Sequence, residues 1–550
     1  MASAGRSPPW VAQACGPCRT GLGRPLELPQ RTFATMSRIA SFFAMTLVAR
    51  GEAGHVPSLT AFVGSVGSKR LTARSIGLAH GTRWRPDRER CPFVDIPTPW
   101  PSLDPSAVGA LSSALQGQLF HPGEHGYDDA RKVFNAMIDR RPALIVRPAD
   151  AEDICRTVSF ARTNHLPVSA KGGGHNVAGS AVIARGLMLD CSGMKKIRVD
   201  AERRVAVAGA GALLADLDRA TQTGGLATPL GVVSVTGIAG LTLGGGIGWL
   251  NGKHGLACDN VLAANIVTSD GVLLTVSADE HADLFWAIRG GGGNFGVVTS
   301  FTYRLHPVGP VLAGGFLFPA ERTREVLRFY PEFAASCPDE LSMSASLGRD
   351  DSGRPVLGVG VCWSGEHRGA DSALRPLRDL GPAVDIVAPT DYCELQSAHD
   401  AGFPRGQNHY WKSSFFTDFT DDAIDILLHF AAELPSPASS IGMQQMHGAA
   451  ARVDTAATAF PHRRSQIELL ILSQWADPAE TERNVGWTRA LFEALQPFAV
   501  SGVYVNDLGD EGEDRVKAAY GANYDRLSAA KAKYDPTNLF RSNQNIRPAP

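Results

Sequence analysis

Three consecutive glycines, Gly172, Gly173 and Gly174, run from Lys171 straight into His175 in the stretch KGGGHNVAG (171–179). A backbone without Cβ can take positive φ and let a ligand come close. Successive N–H groups in such a turn make a concavity that grips a phosphate or pyrophosphate. The imidazole at its end supplies a nucleophilic nitrogen or a metal ligand. A surface turn would use the same glycines, but two more glycine runs follow, at 244–246 and 290–293. Several backbone segments approaching one extended ligand, such as a dinucleotide, account for all three. The Rossmann fingerprint is not the device. GGGIGW (244–249) follows no strand, and no ribose-binding acid stands at the expected distance.

A chain of 550 residues has room for two or more domains with substantial cores. Its 44% apolar and 20% charged residues describe a globular protein, and a net charge of −2 excludes nucleic acid and anionic membrane as main partners. No apolar run reaches membrane-spanning length, so no integral membrane association is expected. The 9 cysteines are irregularly spaced, which suits a reducing compartment and predicts a cytoplasmic protein. Cys15 and Cys18 form a CxxC with no second pair, so no metal site is expected. Residues 1–100 are rich in Arg and poor in acids and lack a periodic apolar pattern. They read as an over-extended start or a targeting segment, the latter implying an organellar or exported protein.

The elements that must position the glycine loops follow from periodicity. Residues 143–148 read as a strand, and 149–165 as a helix with Ile154, Val158 and Ala161 on one face. Residues 166–170 read as the strand that feeds the GGGH turn. Three strands then lie near 186–190, 195–200 and 204–211, before a helix at 212–225. The stretch 237–255 reads as glycine-rich loop, and a hairpin turns at Asp270–Gly271. A helix, the third glycine loop and a strand close this part near residue 307. Beyond it, apolar strands near 314–319, 340–348, 356–365 and 467–475 predict an antiparallel sheet with helices over one face. The tail carries one polar amphipathic helix, stopped at Asp535–Pro536.

The motifs in order are KGGGHNVAG, GVVSVTGIAGLTLGGGIGWLNGKHGLACDN (231–260), DLFWAIRGGGGNFGVVT (283–299), YWKS (410–413), FPHR (460–463), YVN (504–506) and YDPTNLFRSNQNI (534–546). Together they resemble the berberine-bridge-enzyme-like branch of the FAD-linked oxidases. The resemblance implies an α+β fold. A two-part PCMH-type FAD-binding domain would span 101–310 and a substrate domain with an antiparallel sheet 311–500. Residues 501–550 would return to the flavin domain. It further implies that His175 is bonded to the flavin 8α carbon. Cofactor contacts are implied for Lys171, Gly172, Gly173, Gly174, Asn176, Gly179, Gly237, Gly240, Gly244, Gly245, Gly246, Asp259, Asn260, Gly296, Val297, Val298, Asn543 and Asn545, with Asn506 also near the ring. Lys171 stands where the family usually has Arg. Many members attach the flavin a second time through a cysteine, but Val233 occupies that place here and Cys258 lies too far along the chain. Single attachment is expected. Thr236 aligns with the residue that controls oxygen access.

By resemblance, Tyr504 faces the flavin and is the first candidate base. Tyr410, beside Lys412, is the second. The implied activity is FAD-dependent oxidation of a small alcohol, amine, sugar or phenol by hydride transfer, with O2 reduced to H2O2. A dehydrogenase using another acceptor is the alternative. A non-catalytic flavin carrier is less consistent with two pocket tyrosines.

Overall fold

The computed structural model describes residues 100–350 and 353–550. The Cys15–Cys18 pair and the possible targeting segment lie outside them. The first sheet holds β1 (Gln118–Phe120), β2 (Leu144–Arg147), β3 (Val168–Lys171) and β4 (Leu187–Asp190), ordered β1-β2-β4-β3, with β2 and β3 both parallel to β4. The helix between β2 and β3, Ala151–Thr163, starts where the Asp150 carboxylate accepts from Asp153 N at 3.0 Å. This is the usual N-cap device. Ile154, Val158 and Ala161 are buried as their spacing predicts.

A second, antiparallel sheet follows: β5 (Ile197–Asp200), β6 (Val205–Gly209), β8 (Val261–Val267), β9 (Leu273–Ser277) and β10 (Val297–Arg304), ordered β5-β6-β10-β8-β9. The short β7 (Leu226–Ala227) and β11 (His306–Pro307) pair with each other. Gly271, at φ +81°, turns the β8–β9 hairpin. The stretch 237–255 is not all loop, since helices Ile238–Leu243 and Asn251–His254 occur within it. Packing against buried neighbours overrides the poor helix propensity of glycine there.

The third sheet is antiparallel and has eight strands: β12 (Val311–Phe318), β13 (Leu341–Arg349), β14 (Pro355–Trp363), β15 (Val384–Asp385), β16 (Ala388–Thr390), β17 (Asn408–Phe416), β18 (Ser440–Met446) and β19 (Gln466–Trp475). Its order is β15-β12-β14-β13-β18-β19-β17, with β16 also on β12. Helices Ala320–Ser336, Asp421–Ala432 and Thr481–Leu495 cover one face and bury its apolar residues. β18 carries too many polar residues to read as a strand, because half of it faces a cavity rather than a core, and β17 is as polar, with Asn408, His409, Lys412, Ser413 and Ser414 along it. The tail holds two helices, Glu513–Tyr520 and Tyr524–Tyr534, rather than one. Gly521, at φ +47°, breaks them.

Candidate active site

The uncovered face of the eight-stranded sheet closes over the loops of the first two sheets, enclosing a cavity of about 1210 Å³. β3 delivers Lys171, Gly172–Gly174 and His175 into its wall. Gly173 and Gly237 touch backbone to backbone: a Cβ on Gly173 would stand 2.4 Å from Gly237 N. The first glycine loop is therefore shaped as much by its neighbour loop as by a ligand. Gly292, Gly293 and Gly296 from the third loop also line the cavity.

His175 stacks on Phe134 (centroids 4.0 Å apart, 15° between planes), and Phe134 stacks in turn on His409 (4.3 Å, 24°). Its Nε2 is buried with no partner. Burial, then the Arg405 guanidinium, pulls the imidazole down to about 4. Arg405 is held nearby by donating to Gly173 O at 2.7 Å. The ring is neutral at neutral pH, as a nucleophilic nitrogen must be. The Lys171 ammonium turns away from the cavity. It donates to Ala130 O and pairs at 3.3 Å with the buried Asp190 carboxylate, which Arg147 also grips.

Tyr504 is buried beneath the cavity, and its hydroxyl oxygen accepts from Gly246 N (3.0 Å), Ile247 N (3.3 Å) and Asn506 Nδ2 (2.8 Å). The glycines of 244–246 thus cradle this tyrosine and Asn506. Burial raises the phenol above its usual value. On β19 the Glu468 carboxyl, 2% exposed, stands beside the Asp507 carboxyl, and both residues line the cavity. Burial and the neighbouring like charge raise Glu468 well above the ordinary carboxylate range, and burial raises Asp507. A like-charged neighbour makes it costly for both carboxyls to ionise at once. The sequence held one signal for them: Glu468 is the lone acid in a mostly apolar strand.

Of the expected residues, Lys171, Gly172, Gly173, Gly174, His175, Asn176, Gly237, Gly240, Gly296, Val297, Val298, Asn543 and Tyr504 line the cavity, with Val233, Thr236 and Asn506. Others do not. Tyr410 points to the opposite face of β17, where its hydroxyl accepts from Arg489 Nε at 3.1 Å. Strand alternation gives the cavity Trp411 instead. Lys412, on Tyr410's face, pairs with Glu511 at 2.8 Å. Asp259 caps Leu256 N and makes a two-pronged ion pair with Arg463 (2.8 and 2.7 Å). Asn260 donates to His254 O and Leu256 O. Gly179 packs on Ile138, and Gly244, Gly245, Gly246 and Asn545 stand behind the wall. The hydrogen bonds of Asp259 and Asn260 named here go to the protein itself, while Asn545 Oδ1 is buried without a partner.

His409 carries a testable consequence. It is fully buried, neither ring nitrogen has a partner, and burial pulls it down to about 3. The unfolded chain takes this proton near 6.5 and the folded protein does not. The stabilisation is complete above 6.5 and lost as pH falls, by about 3 kcal/mol on reaching pH 4. Against wild type, the flavin-free His409→Phe protein should gain relative stability by up to that amount between pH 6.5 and 4. Denaturation curves that stay parallel over this range would contradict it.

The donor set fits FAD. Three glycine-lined segments meet in one elongated cavity, and His175 Nε2 and Asn543 Oδ1 are buried there without partners. Among the described residues no cluster of three or more His, Cys, Asp or Glu side chains could hold a metal, and no helix is long and apolar enough to cross a membrane. Fold and site define an FAD-binding oxidoreductase. A family model described as FAD binding domain matches residues 142–277, and one described as Berberine and berberine like matches 503–547. An FAD-linked oxidoreductase of Dictyostelium discoideum is 31% identical over 447 residues, covering 80% of this chain and 97% of its own. The crystal structure of 6-hydroxy-D-nicotine oxidase from Arthrobacter nicotinovorans superposes with a TM-score of 0.73 at 30% identity, covering 79% of this chain and 99% of that one. The glucooligosaccharide oxidase from Acremonium strictum, described with a 6-S-cysteinyl, 8α-N1-histidyl FAD, shares the fold (TM-score 0.73, 24% identity, 81% and 99% covered). The chain belongs to the berberine-bridge-enzyme-like family of FAD-linked oxidoreductases.

Proposed function

We propose that this protein is an oxidase of a small organic molecule, using FAD attached once, through His175, and the Glu468–Asp507 pair as its base. The observation that carries the reading is that pair, placed in the same cavity as His175 and the glycine loops. When bound, FAD supplies the two-electron acceptor and passes the electrons on to O2, giving H2O2. The chain's own residues do the rest. A pair sharing one proton has a free carboxylate to take the substrate's hydroxyl or amine proton, while the sheet above excludes water. Tyr504 lines the cavity with its hydroxyl held by Gly246 N, Ile247 N and Asn506 Nδ2. It orients the substrate and keeps its proton. Val233, 8% exposed in the cavity wall, offers no sulfur for a second link. Residues 101–310 and the tail would form the flavin-binding unit, and 311–500 the substrate-binding one.

Anaerobic mixing with alcohols, amines, sugars and phenols tests the reading. A true substrate bleaches the flavin absorbance, and admitting air restores it with peroxide released in equal amount. Bleaching that air does not reverse, but an artificial acceptor does, would identify a dehydrogenase. Tyr504→Phe should keep its flavin and weaken substrate binding, slowing flavin bleaching by about tenfold. A loss beyond ~10³-fold would return the role of base to Tyr504.

A further inference from the structure

The sheet face above the cavity has an unusual chemical profile. Ser342, Ser344, Ser346 and Gly348 alternate along β13 onto that face, and all four line the cavity. Six steps from Ser342 to Gly348, at a rise of ~3.4 Å each, make this column roughly 20 Å long. It runs from the deep row, where Ser344 lies opposite Gln444 and Gln444 opposite Glu468, toward the mouth. One row outward, Ser346 is flanked by Gly442 on β18 and Gly358 on β14. Across the three central strands the row Gly358–Ser346–Gly442 carries no side chain longer than serine, so the floor is flat between Leu317 on one side and Leu470 on the other, with Val356 opposite Gly348 in the next row. A Cβ on Gly348 would meet nothing within 4 Å, and one on Gly442 would find its nearest neighbour, Leu470 O, at 3.7 Å.

The polar atoms on this face are uncharged and unused. Ser342 and Ser346 are each 3% exposed and Gln474 4%, yet both hydroxyls and Gln474 Oε1 have no partner. Charges at the mouth are engaged elsewhere: Arg483 pairs with Glu480 at 3.2 Å, and Arg349 donates to Gly353 O and Ala432 O. Aromatic walls stand beside the floor, with Trp411 and Phe403 edge to face at 6.2 Å. Buried polar atoms without partners cost stability unless a ligand or water meets them.

We propose that the rows beyond Glu468 form a distal subsite for a flat, uncharged, oxygen-bearing molecule of several fused rings, such as a polycyclic phenol, lying on the Ser346–Gly348–Gly442 floor. This rests on the oxidoreductase reading of the cavity. A plane gains dispersion contact across a flat glycine and serine floor, whereas a puckered sugar presents axial and equatorial groups that need longer side chains to reach them. The base agrees with this choice. A carboxyl pair of raised basicity is closer to a phenol, near 10, than to an alkanol, whose O–H is about as weak an acid as water.

The test is equilibrium dialysis of the full-length protein, at a mildly acidic pH where alizarin is uncharged, against alizarin (three fused rings), catechol (one ring) and cellotetraose, each measured by its own concentration in the two chambers. Alizarin should bind at least about tenfold tighter than catechol. Gly442→Phe and, separately, Gly348→Phe should each weaken alizarin by about tenfold or more while leaving catechol and flavin content unchanged. Equal affinities, tighter cellotetraose, or undiminished alizarin binding in variants that keep their flavin would overturn the proposal. Protein that takes up no FAD would sink the oxidoreductase reading instead, and the dialysis would still report on the subsite.

Discussion

Glu468→Gln should slow substrate-driven flavin bleaching by ~10²–10⁴-fold, the usual contribution of a general base, or about 3–5 kcal/mol of barrier. The substitution keeps the shape and one carbonyl oxygen but removes the ability to take a proton. Asp507 is not a ready replacement. With its neighbour neutral, it loses the like-charge contact that favoured a shared proton and becomes a weaker base. The double substitution Glu468→Gln, Asp507→Asn should therefore cost little more than the single one, since the two act as a unit. Anaerobic stopped-flow across pH supplies the second readout. The wild-type rate should rise with pH as the doubly protonated pair gives up its first proton and a carboxylate becomes free, and the Glu468→Gln profile should flatten. A rate within about threefold of wild type would remove the pair from the mechanism.

The second large effect is expected at His175. In the wild-type protein the flavin should stay with the chain through acid precipitation, and His175→Ala should release all of it. The glycine loops are unchanged in that variant, so flavin should still bind before precipitation. Phe134→Ala tests the stack from the other side. It removes the ring lying 4.0 Å from the imidazole, and should lower the covalently held fraction without abolishing it. A flavin–cysteine peptide in a digest of the wild type would refute single attachment, for which Val233 is the structural reason.

What the sequence alone determined was the cofactor side. Glycine runs, the lone histidine after them and the order of the motifs are local signals, because backbone freedom at Gly173 or nucleophilicity at His175 resides in the residue itself. Local signals also placed the Asp270–Gly271 turn and the capped helix Ala151–Thr163. Tertiary structure decided which side of each element faces the cavity. YWKS pointed to Tyr410, yet the pairing of β17 with β19 turns Trp411 inward and Tyr410 toward Arg489. A shift of one residue reverses every side chain on a strand, and sequence spacing alone does not set that register. The same holds for Asp259, which the fold gives to Arg463, and for the Glu468–Asp507 pair, whose members lie 39 residues apart along the chain. Their neighbouring carboxyls, and the serine and glycine floor beside them, exist only because distant strands are brought side by side.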